Sequence, residues 1–219
     1  LSVSAPTSRT RFAALSDQAR ACWLDPAEME FCAHGFENAS LNRIIAEAGE
    51  SKGRTYHYFA DKGDLFRATL ERRLACLGTL DGTTEAIAGA EGQAYWTRIA
   101  ELCRRLAGAL QGDERLASLL RTLHQEAAAQ RAFAEPLAQL RAQIERVLAS
   151  GQSVGAVRDD LPLGLLADVA LNLLVTVDRW FAINASDLAE GEEARLAERA
   201  FSLLMTPLLP PDYSGKTDT

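Results

Sequence analysis

The chain has 219 residues, 47% hydrophobic and 24% charged, which is enough apolar content for one large core or two small ones and excludes a largely disordered chain. Its formal charge of −7 excludes a protein that coats nucleic acid over its whole surface, because phosphate binding is driven by Lys and Arg displacing counterions; a local basic face is still allowed. The charge is lopsided: residues 1–80 hold ten basic and ten acidic side chains, the remainder thirteen and twenty, and the window 40–75 seven and five.

Apolar residues recur at spacings of three and four almost throughout, while period-two runs are missing, so the pattern reads as all-α. Residues 1–10, rich in Ser, Thr and Arg, read as a flexible arm, followed by a helix over 11–22. Asp25-Pro26-Ala27-Glu28 has the form of a helix start, with Asp as cap, Pro in the first turn and Glu three residues after the cap, and Gly35 stops that helix. Ser40 caps the next, in which Leu41, Ile44, Ile45 and Ala48 share a face and Gly49 is the stop. Ser51 then caps a second short helix ending near Phe59. Two short helices joined by a tight glycine turn make a helix-turn-helix, the motif that reads the DNA major groove.

Asp61 caps a longer helix over 62–77, and the glycine-dotted stretch 78–92 reads as a boundary. Further helices are expected over 93–110, 113–125, 135–150, 163–184 and 192–208. The resulting organisation is an arm with room for an extra helix (1–21), a three-helix helix-turn-helix domain (22–79), a larger helical regulatory and dimerisation domain (80–209) and a frayed tail (210–219).

On the second short helix, Thr55, Tyr58 and Phe59 fall on one side and Gly53, Tyr56 and His57 on the other, flanked by Lys52 and Arg54. The first group reads as core. In the second, a glycine admits close backbone approach, Lys52 and Arg54 can reach phosphates or guanine edges, and Tyr56 offers a stiff hydroxyl. Lys62 adds a donor at the start of the following helix. Two blander readings stay open: Arg54 can pair with Glu50 four residues earlier, and His57 can be a surface histidine without a contact. His34 reads as a helix-end residue beside Gly35.

Gly35-Phe36, Ala39-Ser40-Leu41, Ile44, Ala48-Gly49, Ser51-Lys52-Gly53, Tyr56, Tyr58-Phe59, Lys62 and Leu65-Phe66, at this spacing, resemble the DNA-binding domain of the TetR family of regulators. The likeness covers about residues 23–66. It implies an all-helical homodimer with a ligand pocket in a divergent C-terminal domain. Carried over by position, Ser40, Lys52, Gly53, Arg54, Tyr56, His57 and Lys62 would face DNA, Tyr56 and Lys62 mainly on phosphates and Arg54 on a base. The expected function is a repressor that binds a palindromic double-stranded operator and is released by a small molecule; the alternative is a helical protein-interaction module of the same fold without specific DNA binding. Several residues depart from the pattern: Pro26 interrupts the helix before the motif, Glu28 and Glu30 stand at positions often apolar, Glu50 replaces a small residue in the turn, and Thr55 replaces an aliphatic one. The last two changes predict looser packing of the recognition helix.

The C-terminal half is less informative. Over 163–184 apolar residues cover much of the circumference, which predicts a helix buried on several sides. Leu166, Val169, Leu173 and Val177, with Leu196, Ala200, Leu203 and Leu204 of the last helix, are the candidates for a four-helix dimer interface. Trp96, His124, Phe133, Asn172, Asp178 and Trp180 are candidates for a ligand pocket of aromatic walls with a few polar groups. Asp168, Asp178 and Arg179 can equally reach solvent or pair across a dimer. Cys22, Cys32, Cys76 and Cys103 lack C-x-x-C spacing and read as reduced thiols without a metal. The three histidines lie in separate segments and no nucleophile elbow or phosphate loop occurs, so neither catalytic residues nor a cofactor are expected. No basic-then-apolar leader opens the sequence, and its longest apolar run, 169–177, is too short to span a bilayer; a cytoplasmic protein without a membrane partner is the expectation.

Overall fold

The structure is a computed structural model that describes residues 7–75, 87, 90, 92–110, 113–184, 188 and 191–211, with the backbone alone for 106–110 and 193–194. Residues 1–6 of the arm, nearly all of the glycine-dotted stretch, Cys76 and residues 212–219 of the tail lie outside the described residues. Every regular element among those described is helical: α1 (Ser8–Ala13), α2 (Asp17–Asn38), α3 (Leu41–Glu47), α4 (Lys52–Tyr58), α5 (Lys62–Ala75), α6 (Gly92–Leu110), α7 (Glu114–Gln125), α8 (Ala127–Ala132), α9 (Ala134–Ser153), α10 (Leu163–Asn184), α11 (Glu192–Met205) and a closing 3-10 turn, Thr206–Leu208. None is long and apolar enough to cross a membrane.

The chain forms two compact units. Unit 1 comprises Leu1–Cys76 and Asp113–Ala134, and unit 2 comprises Leu77–Gly112 and Glu135–Thr219. The first therefore takes in α7 and α8, a stretch that the sequence pattern groups with the second domain.

In unit 1, α2 is the central strut, packed against α3, α5, α7 and α8. The expected helix start at Asp25 is not used: Ser16 caps α2, its hydroxyl accepting from the Ala19 N–H at 3.2 Å, and the helix runs straight through Pro26. A proline inside a helix removes one backbone bond and costs about 3 kcal/mol. Here the helix is held by its apolar stripe, since Trp23, Leu24, Ala27 and Phe31 are all at most 3% exposed. The helix expected over 11–22 is correspondingly split between α1, capped by Thr7, and the first turns of α2. Gly35 does break α2, at φ 70°, and a Cβ there would also overlap the Glu126 carboxylate. Two aromatic clusters fill the core. Phe12, Trp23, Tyr58 and Phe59 pack mostly edge to face at centroid distances of 4.6–6.4 Å, and Phe31, Phe36 and Phe66 pack at 5.1–6.1 Å.

Glu28 and Glu30, out of place in an apolar stripe, are explained by long-range partners. Glu28 is 1% exposed and is gripped by Arg72 (3.0 Å), Arg73 and Arg115 (3.0 Å). Burial opposes its charge, but the hydrogen bonds from Arg73, Arg115 and Arg72 prevail and pull its pKa down to about 2. Glu30 accepts from the Ser40 N–H (2.7 Å) and from the Arg43 guanidinium (2.8 and 3.1 Å), fixing the start of α3.

The core of unit 2 gathers Ile87, Tyr95, Trp96, Leu148, Val157, Leu166, Ala167, Ala170 and Leu208. Both polar tips in it are bonded: the Tyr95 hydroxyl donates to the Val147 carbonyl (2.9 Å) and the Trp96 indole N–H to that of Ala156 (2.8 Å). The α10 helix is not buried on several sides within the chain. Leu166, Ala167 and Ala170 are covered, while Leu165, Trp180 and Ile183 stay 45–48% exposed. The expected last helix ends earlier than its apolar pattern suggested, at Met205, and the short α8 was absent from the sequence reading.

Candidate nucleic-acid interface

The site is built outward from a turn. Gly49 adopts φ 65°, the left-handed conformation that glycine tolerates, and closes α3; the N–H groups of Gly49 and Glu50 bond back to Ala46 and Ile45 at 3.1 and 3.2 Å. Ser51 restarts the chain as the cap of α4, its hydroxyl accepting from the Arg54 N–H at 3.1 Å, as Ser40 caps α3 through the Arg43 N–H at 3.3 Å.

The back of α4 is locked. Thr55 is fully buried, donating its hydroxyl to the Ser51 carbonyl (3.0 Å) and accepting from the Trp23 indole (3.4 Å). Thus a threonine in an aliphatic position is satisfied by hydrogen bonds, which corrects the expectation of looser packing. Phe59 is 3% exposed, and Tyr58 packs edge-on to Trp23 at 5.2 Å. At the far end, Arg11 of α1 donates to the His57 carbonyl at 2.9 and 3.3 Å, adding a cation where the helix dipole is negative.

The front of α4 is open: Lys52, Gly53, Arg54, Tyr56 and His57 are all exposed, Tyr56 by 53%. A Cβ on Gly53 would meet nothing within 4 Å, so packing does not demand glycine there. Arg54 has the partner weighed above: its Nη1 lies 3.1 and 3.2 Å from the two Glu50 oxygens, and its guanidinium sits 5.4 Å from the Trp23 ring centre. Ser40 is half-buried at the start of α3. Lys62 is turned inward: its ammonium donates to the Glu37 and Ala39 carbonyls, 3.0 Å each, and sits 4.8 Å from the Phe36 ring centre. It pins the segment linking α2 to α3, a role the sequence did not suggest.

Glu126, between α7 and α8, also holds this segment, accepting from the Phe36 and Glu37 N–H groups at 3.1 and 2.6 Å. Neither Glu126 nor Arg11 was singled out in the sequence, because each acts on a backbone group 46 to 90 residues away. The acidic residues at 28 and 30 were a visible signal, though their partners were not.

The six pocket candidates fall in different places. Trp96 is in the core of unit 2 at 2% exposure, and Asn172 is exposed and folds its amide back onto the Asp168 carbonyl (2.7 Å). Trp180 and Asp178 also belong to unit 2, with Trp180 45% exposed, whereas His124 and the buried Phe133 belong to unit 1. Asp168 pairs within its own unit with Arg141 at 2.6 Å, which holds the carboxyl below its usual range. A groove of about 520 Å³ in unit 1, lined by Phe12, Leu24, Tyr58 and charged residues, includes none of the six, and its charges pair with one another, as in Arg9–Glu71 (3.0 Å) and Arg67–Asp64 (2.6 Å). Of the interface candidates, Leu166 is enclosed in the unit's own core at 1%; Val169, Leu173, Val177, Leu196, Ala200 and Leu204 are partly exposed, and Leu203 is 67% exposed. Among the described residues no group of His, Cys, Asp and Glu could hold a metal. Burial raises the thiol pKa of Cys22, Cys32 and Cys103, the last to about 11.

Two capped helices meeting at a left-handed glycine, one locked behind and open in front, constitute a helix-turn-helix. Residues 24–69 match the family model described as bacterial regulatory proteins, tetR family, and this segment is a TetR-family domain. The chain is 40% identical over 50 residues to the HTH-type transcriptional repressor SCO4008 of Streptomyces coelicolor, an alignment covering 23% of this chain and 26% of that protein. It thus spans about a quarter of that relative's length. Across most of its length it is similar in fold to NalD, the secondary repressor of the MexAB-OprM multidrug efflux pump in Pseudomonas aeruginosa (TM-score 0.68, 18% identity, 90% of this chain and 100% of that one). It is also similar to the transcriptional regulator FadR of Bacillus subtilis, whose structure is a complex with stearoyl-CoA (TM-score 0.65, 16% identity, 85% and 98%). At such identities the likeness is one of fold.

Proposed function

We propose that this protein is a transcriptional repressor that binds a palindromic DNA operator as a homodimer and is released by a small-molecule effector. The observation that carries the reading is the front of α4, where Lys52, Gly53, Tyr56 and His57 stand exposed on a helix whose back is fixed by Trp23, Thr55 and Phe59. Gly53 is the most telling of them. Glycine costs up to about 1 kcal/mol relative to alanine in a helix, less in the first turn where Gly53 stands, and here no neighbour requires it, which supports close approach of a DNA backbone. Lys52 and Tyr56 would take phosphates, His57 a phosphate or a base edge, and Ser40 a phosphate at the start of α3. Lys62 would act mainly by holding that start in place.

Dimerisation is supported by the apolar residues that α10 and α11 leave outside the unit's core, Leu165, Trp180, Ile183 and Leu203 above all. A two-fold dimer would set its recognition helices about 34 Å apart, one DNA turn, and an effector would act by favouring a dimer with a different spacing. The named relatives make repression the favoured mode, and the FadR complex with stearoyl-CoA supports a small-molecule effector in kind. Binding of the full chain to duplexes from its own locus, titrated with salt, tests the reading. Wild type should select one fragment in the nanomolar range with a steep salt slope, and Lys52→Ala with Tyr56→Ala should weaken it at least tenfold. Equal, weak binding of every fragment by both proteins would favour the interaction-module reading instead.

A further inference from the structure

Glu50 is unexpected on a surface meant for a polyanion. The turn needs a left-handed residue at Gly49, and nothing in its backbone bonding calls for a carboxylate at the next position. Its side chain is nevertheless only 14% exposed and fixed, with both oxygens within 3.2 Å of Arg54 Nη1. Arg54 in turn lies over the ring of Trp23, which is fully buried and bonded through its N–H to Thr55. Arg54, an exposed cation of the α4 front with a side chain 56% accessible, is thus docked on a platform made by Glu50 of the turn and Trp23 of α2.

Magnitudes decide what this docking does. An exposed i,i+4 ion pair and an exposed cation–π contact together hold a guanidinium by roughly 4- to 12-fold. A solvent-screened phosphate contact is itself an exposed ion pair, holding by roughly 1- to 5-fold, whereas a bidentate pair with guanine discriminates by roughly 5- to 150-fold. Arg54 should therefore stay on Glu50 over most DNA and leave it only for the right base edge. We propose that Glu50 is a specificity-setting positioning residue: it holds Arg54 against Trp23, denies it to phosphates, and yields it to a guanine in the operator half-site. Specificity then comes in part from a competitor built into the protein, in addition to an attractive contact. The inference rests on the DNA-binding reading given above.

The experiment uses the full chain as wild type, Glu50→Ala, Arg54→Ala and the double variant. Each is put through selection from random duplexes and then through salt-titrated binding to the selected duplex and to an unrelated one of equal length. Glu50→Ala should bind the unrelated duplex about 5-fold tighter, steepen the logarithmic salt dependence by about 1 per subunit, and relax the preference for guanine at one half-site position. Arg54→Ala should lose that guanine preference and about tenfold in operator affinity, leave unrelated binding within twofold, and abolish the effect of Glu50→Ala when combined with it. Should Glu50→Ala not fold, the operator-only loss in Arg54→Ala decides alone. Unchanged unrelated binding and salt slope in a folded Glu50→Ala, or an equal loss on both duplexes in Arg54→Ala, would overturn the proposal while leaving DNA binding intact. A folded wild type that binds no duplex would instead overturn the reading beneath it.

Discussion

The two units solve the same problem, a helix with an awkward face, in opposite ways. In unit 1 the awkward groups are charged, and the chain satisfies them itself: Glu28 collects three arginines, Glu30 fixes Ser40 and Arg43, Glu126 and Lys62 clamp the same link between α2 and α3. In unit 2 the awkward groups are apolar, and Trp180, Ile183, Leu165 and Leu203 are left outside its core. On the proposed reading, α4 has to be aimed by its own domain before DNA arrives, which fits supports that lie within the unit. The apolar residues of α10 and α11 can be satisfied by a second copy, and nothing in their own unit needs to cover them.

The sharpest way to break the first half of that contrast is Glu28→Gln. Removing the anion leaves three guanidinium groups without their common acceptor; because they are 25–60% exposed and Arg72 and Arg73 keep Asp25 and Asp113, the cost should lie at the low end of that for a broken buried pair, about 3 kcal/mol, read as a lower denaturant midpoint for unit 1. Acid should reproduce part of the loss in wild type. Because the folded pKa lies near 2 against an ordinary 4.5, the stabilisation is complete above about pH 4.5 and drains away as pH falls toward 2. The Gln variant should therefore show a shallower decline between pH 5 and 2 than wild type. A variant as stable as wild type with an identical acid profile would show that the cluster is a solvated surface network.

How much of this was legible in the sequence follows the same division. The turn was readable to the residue, because Ser40, Gly49, Ser51 and Asp61 act on backbone groups within four positions, a range over which sequence order and space coincide. The front and back of α4 followed from helical periodicity. The start of α2 was misplaced because Asp25-Pro26 imitates a cap, and only the aromatic packing of Trp23 and Phe31, a tertiary effect, overrides it. The inward turn of Lys62 was hidden for a related reason: its acceptors are carbonyls more than twenty residues back, and a lysine looks the same in sequence whether it faces a phosphate or a C-terminal turn. For α10, hydrophobic content gave the helix its bounds correctly but not its neighbours, since an apolar residue facing a partner is indistinguishable in sequence from one facing its own core.

The second half of the contrast is tested by placing charge on the uncovered face. Trp180→Glu with Leu203→Glu should leave the helical content and the unit 2 core unchanged, since neither residue is buried in its own chain. It should raise the dimer dissociation constant at least about 100-fold, equivalent to about 2.7 kcal/mol, as followed by light scattering across a dilution series. If the proposed dimer holds its two α4 helices one DNA turn apart, operator affinity should fall with it. Charges that destabilise the monomer instead, with no change of mass, would mean that this face is covered by the chain's own residues in solution.

The smallest effect is the most discriminating, because it separates folding from function by sign. Gly53→Ala introduces a methyl group into open space in the first turn of α4 and should stabilise unit 1 by less than the about 1 kcal/mol of a helix interior, seen as a slightly higher unfolding midpoint. If Gly53 is there to let the DNA backbone approach, the same methyl should weaken operator binding severalfold while the protein itself becomes more stable. A change that raised stability and left affinity untouched would separate the exposed front of α4 from the nucleic acid, and would leave the glycine as a residue for which the fold offers no reason.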